Sequence, residues 1–203
     1  NEASTDITFN FDANMPESKY TFKENKVRLN ELELGFDGWV AMPQESIDMD
    51  MSFKTEQTSF KSLLSLIPTV YTRDFEAIQT SGSLGLNGTL NGSYKEEGDK
   101  MEIPGFDVSL LVKDASFNYP DMPKKAENIQ IDVRAVNTGS DPDQTKVDVN
   151  QFHIELAENP IDINMHVSTP VSDPTIKGDL MANLDLESLA DVIPMEDGES
   201  YKG

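Results

Sequence analysis

Apolar and polar residues alternate one by one through most of this chain, and a period of two leaves few folds open. Ile7, Phe9 and Phe11 alternate with Thr8 and Asn10; Ile47, Met49, Met51 and Phe53 alternate with Asp48, Asp50, Ser52 and Lys54. Phe106, Val108, Leu110 and Val112 repeat the pattern, as do Ile129, Ile131 and Val133, then Ile161, Ile163, Met165 and Val167. Successive side chains of a strand point to opposite faces, so each segment reads as a strand with one apolar and one polar face. Roughly a dozen such segments follow one another. Turn signals between them include Asn87-Gly88, Asn91-Gly92, Gly98-Asp99 and Asp141-Pro142. Strands joined by short turns are antiparallel, which predicts a mainly β fold: a long twisted antiparallel meander sheet. Its apolar faces either pack on one another as a closed sandwich or barrel, or stay in part available to an apolar ligand. Alternation alone leaves both forms open.

Repetition is visible directly. Ile47 to Thr55 (IDMDMSFKT) returns as Ile161 to Thr169 (IDINMHVST), and Phe60 to Pro68 (FKSLLSLIP) returns as Leu186 to Pro194 (LESLADVIP). Upstream, Lys26 to Leu34 (KVRLNELEL) matches Lys146 to Ile154 (KVDVNQFHI). In both of these the apolar phase slips at the same place, which predicts a β-bulge at Asn30-Glu31 and another at Asn150-Gln151. The units run approximately over 26–68 and 146–194, linked by 69–145, a short helix followed by glycine-punctuated strands, all within one β-rich segment, 1–203. The second unit holds about 12 more residues between its strand and its helix, and TIKGDLMANL is the candidate for an extra strand.

Two stretches carry a helical period instead. Phe60, Leu63, Leu64 and Ile67 form one apolar stripe, with Thr58 or Ser59 as cap and Pro68 as stop. Leu186, Leu189, Ala190 and Ile193 repeat it, with Asp185 as cap and Pro194 as stop. Tyr71, Phe75 and Ile78 suggest a further helical turn, so two or three short helices are expected to cap an open end of the sheet's apolar face.

Chemistry is conspicuous by its absence. There is no cysteine, hence no disulfide and no thiolate metal site. The glycines at 82, 85, 88 and 92 sit within a strand-like pattern with no helix after them, unlike a phosphate-cradling loop. His153 and His166 fall on the polar sides of their strands and read as surface histidines. Asp48 and Asp50 belong to a wet polar face, while Asp141 and Asp143 flank a turn proline; none has the apolar pocket that raises a catalytic carboxyl. No nucleophile elbow, P-loop or zinc-protease motif occurs, so no enzyme, no cofactor and no metal is expected. With 37 acidic against 16 basic residues the net charge is −21, a field that repels phosphate backbones and argues against nucleic acid as a partner. No apolar run approaches the ~20 residues that span a bilayer. The chain begins at Asn1 rather than methionine, which reads as a processed or excised chain, any anchor having gone with the missing part.

FDVSLLVKDASFNYPDMPKKAENIQIDVRAVNTG and STPVSDPTIKGDLMANLDLESLADVIP, preceded by the glycine-punctuated GSLGLNGTLNGSY, resemble the AsmA-like family of bacterial envelope proteins, TamB-related and of Bacteroidetes type. The resemblance covers roughly Gln79 to Pro194. It implies a periplasmic β body anchored to the inner membrane, belonging to a longer protein and working with envelope assembly proteins. It also implies that the repeat-built sheet is an open half-pipe or groove, whose apolar floor carries phospholipid or another acyl-chain ligand between membranes and supports outer-membrane biogenesis. On that reading the groove would be floored by Met49, Met51 and Phe53, by Phe106, Val108 and Leu110, by Phe152 and Ile154, and by Ile161, Ile163, Met165 and Val167. Phe60, Leu63, Leu64 and Ile67, with Leu186, Leu189 and Ile193, would cap it. The methionines suit a floor that must adapt to flexible chains. The competing reading is a structural or adhesive β-sandwich module of the cell surface, with a closed interior and a binding patch around Trp39.

Overall fold

The computed structural model describes residues 4–55, 59–66, 77–98, 100–118 and 124–185, which form one antiparallel sheet of twelve strands. In chain order these are β1 (Thr5–Thr8), β2 (Phe11–Asn14), β3 (Lys19–Leu29), β4 (Leu32–Ala41), β5 (Ile47–Thr55), β6 (Gln79–Glu97), β7 (Lys100–Glu102), β8 (Gly105–Asn118), β9 (Ala126–Asn137), β10 (Lys146–Leu156), β11 (Asn159–Ser168) and β12 (Thr175–Ala182). One short helix, α1 (Phe60–Leu64), lies between β5 and β6. The spatial order is β1-β3-β4-β5-β6-β8-β9-β10-β11-β12, with β2 beside β3 and β7 beside β6. The sheet is an open meander that does not close: β1 and β2 share one edge and β12 forms the other. No second sheet is present among the described residues, so the closed-sandwich arrangement does not describe them.

Both predicted bulges coincide with departures from a plain strand, and only one is a bulge. In β10, Val149 faces Met165 and Phe152 faces Ile163, so Asn150 and Gln151 stand opposite the single residue Asn164. At Asn30-Glu31 the chain instead reverses in a two-residue turn, with Leu29 facing Leu32. Either device keeps the flanking apolar residues on one face, so the phase slip does not distinguish them. Tertiary ties do: the Asn30 side chain accepts from the Ser4 N–H at 3.1 Å and donates to the Ser65 carbonyl at 2.7 Å, pinning the turn between the chain's start and the end of α1. Asn87-Gly88 and Asn91-Gly92 are likewise not turns. Both lie inside the 19-residue β6, whose two flanks are paired by β5 and β8. Gly98 does turn the chain between β6 and β7, and Asp141-Pro142 opens a 3₁₀ turn before β10. TIKGDLMA is indeed a strand, β12.

Buried asparagines repair backbone where the meander is interrupted. Between β1 and β2 the edge breaks at Phe9-Asn10, opposite a bulge in β3 where Glu24 takes a positive φ of 54°. Asn25, 1% exposed, fills the gap: its Oδ1 accepts from the Asn10 N–H at 2.6 Å and its Nδ2 donates to the Asn10 carbonyl at 3.0 Å. Asn159 acts similarly beside the Ala157-Glu158 turn, donating to the Leu156 and Ala157 carbonyls. Asn25→Ala removes both bonds and leaves the Asn10 N–H without its acceptor, at a cost of about 2 kcal/mol. Amide hydrogen exchange over residues 5–14 is expected to accelerate, while β8 and β9 stay protected.

The core sits at one end of one face. Phe60 and Leu64 of α1, which lies against β6 and β4, join Leu32, Leu84, Val112, Ala115 and Ile129 in one buried cluster there. Ser59 caps the helix, its hydroxyl accepting from the Lys61 N–H at 3.2 Å.

Candidate functional site

The ladder registers assign every strand residue to a face, since directly opposed residues of an antiparallel pair share one. One row shows the result: Phe36 of β4 faces Phe53, which faces Gly88, then Val108, Ala135, Val147, Val167 and Ile176. A neighbouring row runs from Leu110 through Val133, Val149 and Met165 to Gly178. All twelve expected groove residues therefore fall on this single apolar face, from β5 to β11, despite coming from four strands separated by more than a hundred residues. Gly88 is a seat on that face: the Phe53 ring lies where a side chain would stand, and a Cβ there would be 2.5 Å from the Phe Cζ. Phe9, Phe22 and Phe36, with Phe11 and Tyr20, form an aromatic cluster toward the β1/β2 edge. Alternation within strands does not reveal that cluster, because it carries no information on which strands become neighbours.

Of the expected capping residues, Phe60 and Leu64 are buried on the apolar face and Leu63 packs partly against it. Ile67, Leu186, Leu189 and Ile193 lie outside the described residues. Away from α1 the apolar side chains are half-buried by their neighbours alone, and at the margins they are openly exposed, including Ile7, Phe11, Leu29, Ile176 and Leu180. No other described element lies over this face.

The opposite face is polar and carries the titratable groups. An open depression of about 980 Å³ lies over β3 to β9, lined by Lys26, Lys54, Arg134, Glu24, Asp37 and Asp107 among others. The Arg134 guanidinium pairs with Asp107 across β8 and β9 and holds that carboxyl below its ordinary range. Asp48 is also held low, by hydroxyl donors from Ser93 at 2.6 Å and Ser46 at 3.0 Å. His153 Nδ1 lies 2.7 Å from Asp162 and His166 Nδ1 lies 2.6 Å from Asp148, so both histidines do sit on the polar face but pair across strands. Asp50 is exposed on the same face. Asp141 accepts from the Asp143 N–H within its turn, and Asp143 accepts from the Val171 and Ser172 N–H groups, clamping the β11–β12 turn. Trp39 stands on the polar face with the Lys19 ammonium 4.1 Å from its ring centre.

Among the described residues no three His, Asp or Glu side chains converge as a metal site, and no helix is long and apolar enough to cross a membrane. Among the described residues the arrangement is a broad apolar surface backed by a charged one that includes the Arg134–Asp107 pair. No protein-family model matches the chain, and neither a curated protein nor a solved structure gives a match.

Proposed function

We propose that this chain is a non-enzymatic, periplasmic β domain of the AsmA-like type. On this reading its apolar face receives phospholipid acyl chains, contributing to lipid transfer between membranes or to outer-membrane biogenesis. The observation that carries the reading is the continuity of one apolar face across the open meander, with α1 the sole described cover. A ~16-carbon chain gains on the order of 12 kcal/mol on leaving water, at ~0.8 kcal/mol per CH₂. A chain arriving from a bilayer needs only an equivalent apolar surface, which a floor of Ile, Val, Leu, Phe and Met provides without specific polar contacts. Met51 and Met165, on β5 and β11, add side chains that reshape easily around a flexible chain. Anchoring to the inner membrane through another segment, and association with the rest of a longer protein and with envelope assembly factors, belong to the same proposal.

Native mass spectrometry of gently purified protein is expected to reveal bound phospholipid, and a fluorescent fatty-acid probe to bind. Met165→Lys places a charge on the apolar floor and should weaken probe binding about tenfold or more. Ser109→Lys, on the polar face, should leave binding unchanged. Absence of both co-purified lipid and probe binding would overturn the proposal.

A further inference from the structure

Among the described residues β12 has a strand on one side only, and its outer edge points to a second copy of this chain as its partner. All eight residues of β12 are exposed, and they pair with β11 without a bulge, from Thr175 facing Ser168 to Ala182 facing Ile161. Such an unbroken edge offers a row of unpaired N–H and C=O groups to another strand. The opposite edge is built otherwise: β1 and β2 are four residues each and are separated by the break at Phe9-Asn10.

The sequence of β12, TIKGDLMA, is complementary to itself. In an antiparallel pair centred on Gly178, Lys177 of each copy faces Asp179 of the other, and Ile176 faces Leu180. Thr175 then faces Met181. Shifting the centre to residue 177 opposes two lysines, and shifting it to residue 179 opposes two aspartates. A one-residue slip puts apolar positions opposite polar ones, because the side-chain period is two. One register therefore satisfies charge and face together. Ile176, Leu180 and Met181 are 64, 68 and 64% exposed, so the surface such a pairing would cover is apolar as well as hydrogen-bonding.

We infer that the chain forms a two-fold dimer by antiparallel β12–β12 pairing in this register. A two-fold axis perpendicular to the sheet keeps both apolar faces on the same side, so two sheets join into one. Because the axis makes the contact isologous, it closes at two copies rather than growing into a filament. The inference stands independently of whether acyl chains occupy the face.

Sedimentation velocity of the full chain across the micromolar range is expected to show a monomer–dimer equilibrium. Lys177→Asp or Asp179→Lys alone places two like-charge pairs in the contact and should raise the dissociation constant about tenfold. The double exchange, Lys177→Asp with Asp179→Lys, restores opposition and should restore the dimer. Circular dichroism of each variant checks that the sheet is intact. Since the chain has no cysteine, a second measurement is available: oxidising Thr175→Cys mixed with Met181→Cys should give a disulfide-linked dimer more readily than either variant alone. A monomer at every concentration, a dimer indifferent to the single reversals, or cross-linking no better in the mixture than in the separate variants would each refute the pairing.

Discussion

Replacing Gly38 with alanine is expected to cost about 3 kcal/mol and to lower the thermal midpoint by roughly 10 °C. Gly38 lies in the middle of β4 at φ +135°, a conformation essentially confined to glycine. A Cβ there would stand 2.1 Å from the Asp50 carbonyl oxygen and 2.7 Å from the Met51 Cα, both backbone atoms of the paired strand. Neither can turn aside as a side-chain tip would, so the β4–β5 ladder must part. The position also adjoins the β3 bulge, where the Asp37 carboxylate accepts from the Glu24 N–H at 2.6 Å. Gly85→Ala is the matched control. Gly85 has no left-handed φ, and its added methyl would meet the Leu111 carbonyl oxygen at 3.9 Å, an ordinary contact. That variant should melt at or slightly above the parent temperature, because alanine reduces the freedom of the unfolded chain. Urea titrations followed by circular dichroism separate the two outcomes.

Gly38 also illustrates what the sequence makes legible and what it withholds. The alternation around it identifies two faces, and the strands so identified do assemble with their apolar sides together, from Ile7 to Ile176. The period of two survives tertiary folding because a sheet preserves it, whichever strands become neighbours. Local turn chemistry is less informative. Asn87-Gly88 has the composition of a hairpin turn yet runs straight through β6, because β5 and β8 pair along both its sides and the Phe53 ring occupies the space over Gly88. Conversely Ala157-Glu158 has no turn signature, yet both residues take positive φ, 51° and 66°, and reverse the chain. There the buried Asn159 supplies the hydrogen bonds that hold the reversal, a tie invisible until β10 and β11 are paired. For the candidate site, face membership was legible residue by residue. What lies over the face was not, because cover depends on neighbours distant in sequence: α1 lies against β4 and β6 and shares a buried cluster with Leu32 and Leu84, and Asn30 reaches Ser65.

Leu84→Ala is expected to cost about 3 kcal/mol, and its comparison with Val108→Ala tests how the apolar face is covered. Both residues are on that face, in the adjacent strands β6 and β8. Leu84 is 1% exposed beneath Phe60 and Leu64, so truncation leaves a cavity that α1 and Val112 can only partly fill. Hydrogen exchange at residues 59–66 should accelerate with it, since Leu84 is part of what the helix packs on. Val108 is half-buried, bordered by Gly88 and Ala135 on its row, and its truncation should cost about 1 kcal/mol. The contrast follows from location: among the described residues the fully buried large apolar side chains gather at the α1 end, while the remainder of the face has lateral neighbours and no described layer above it. Equal losses for the two variants in delipidated protein would mean that the face is sealed over Val108 as firmly as over Leu84. In that case acyl chains have no bare floor to occupy. A small loss for Val108→Ala that grows when lipid is restored is the result expected of a face whose second layer is its ligand, because the methyls removed would then be buried against acyl chain rather than facing water.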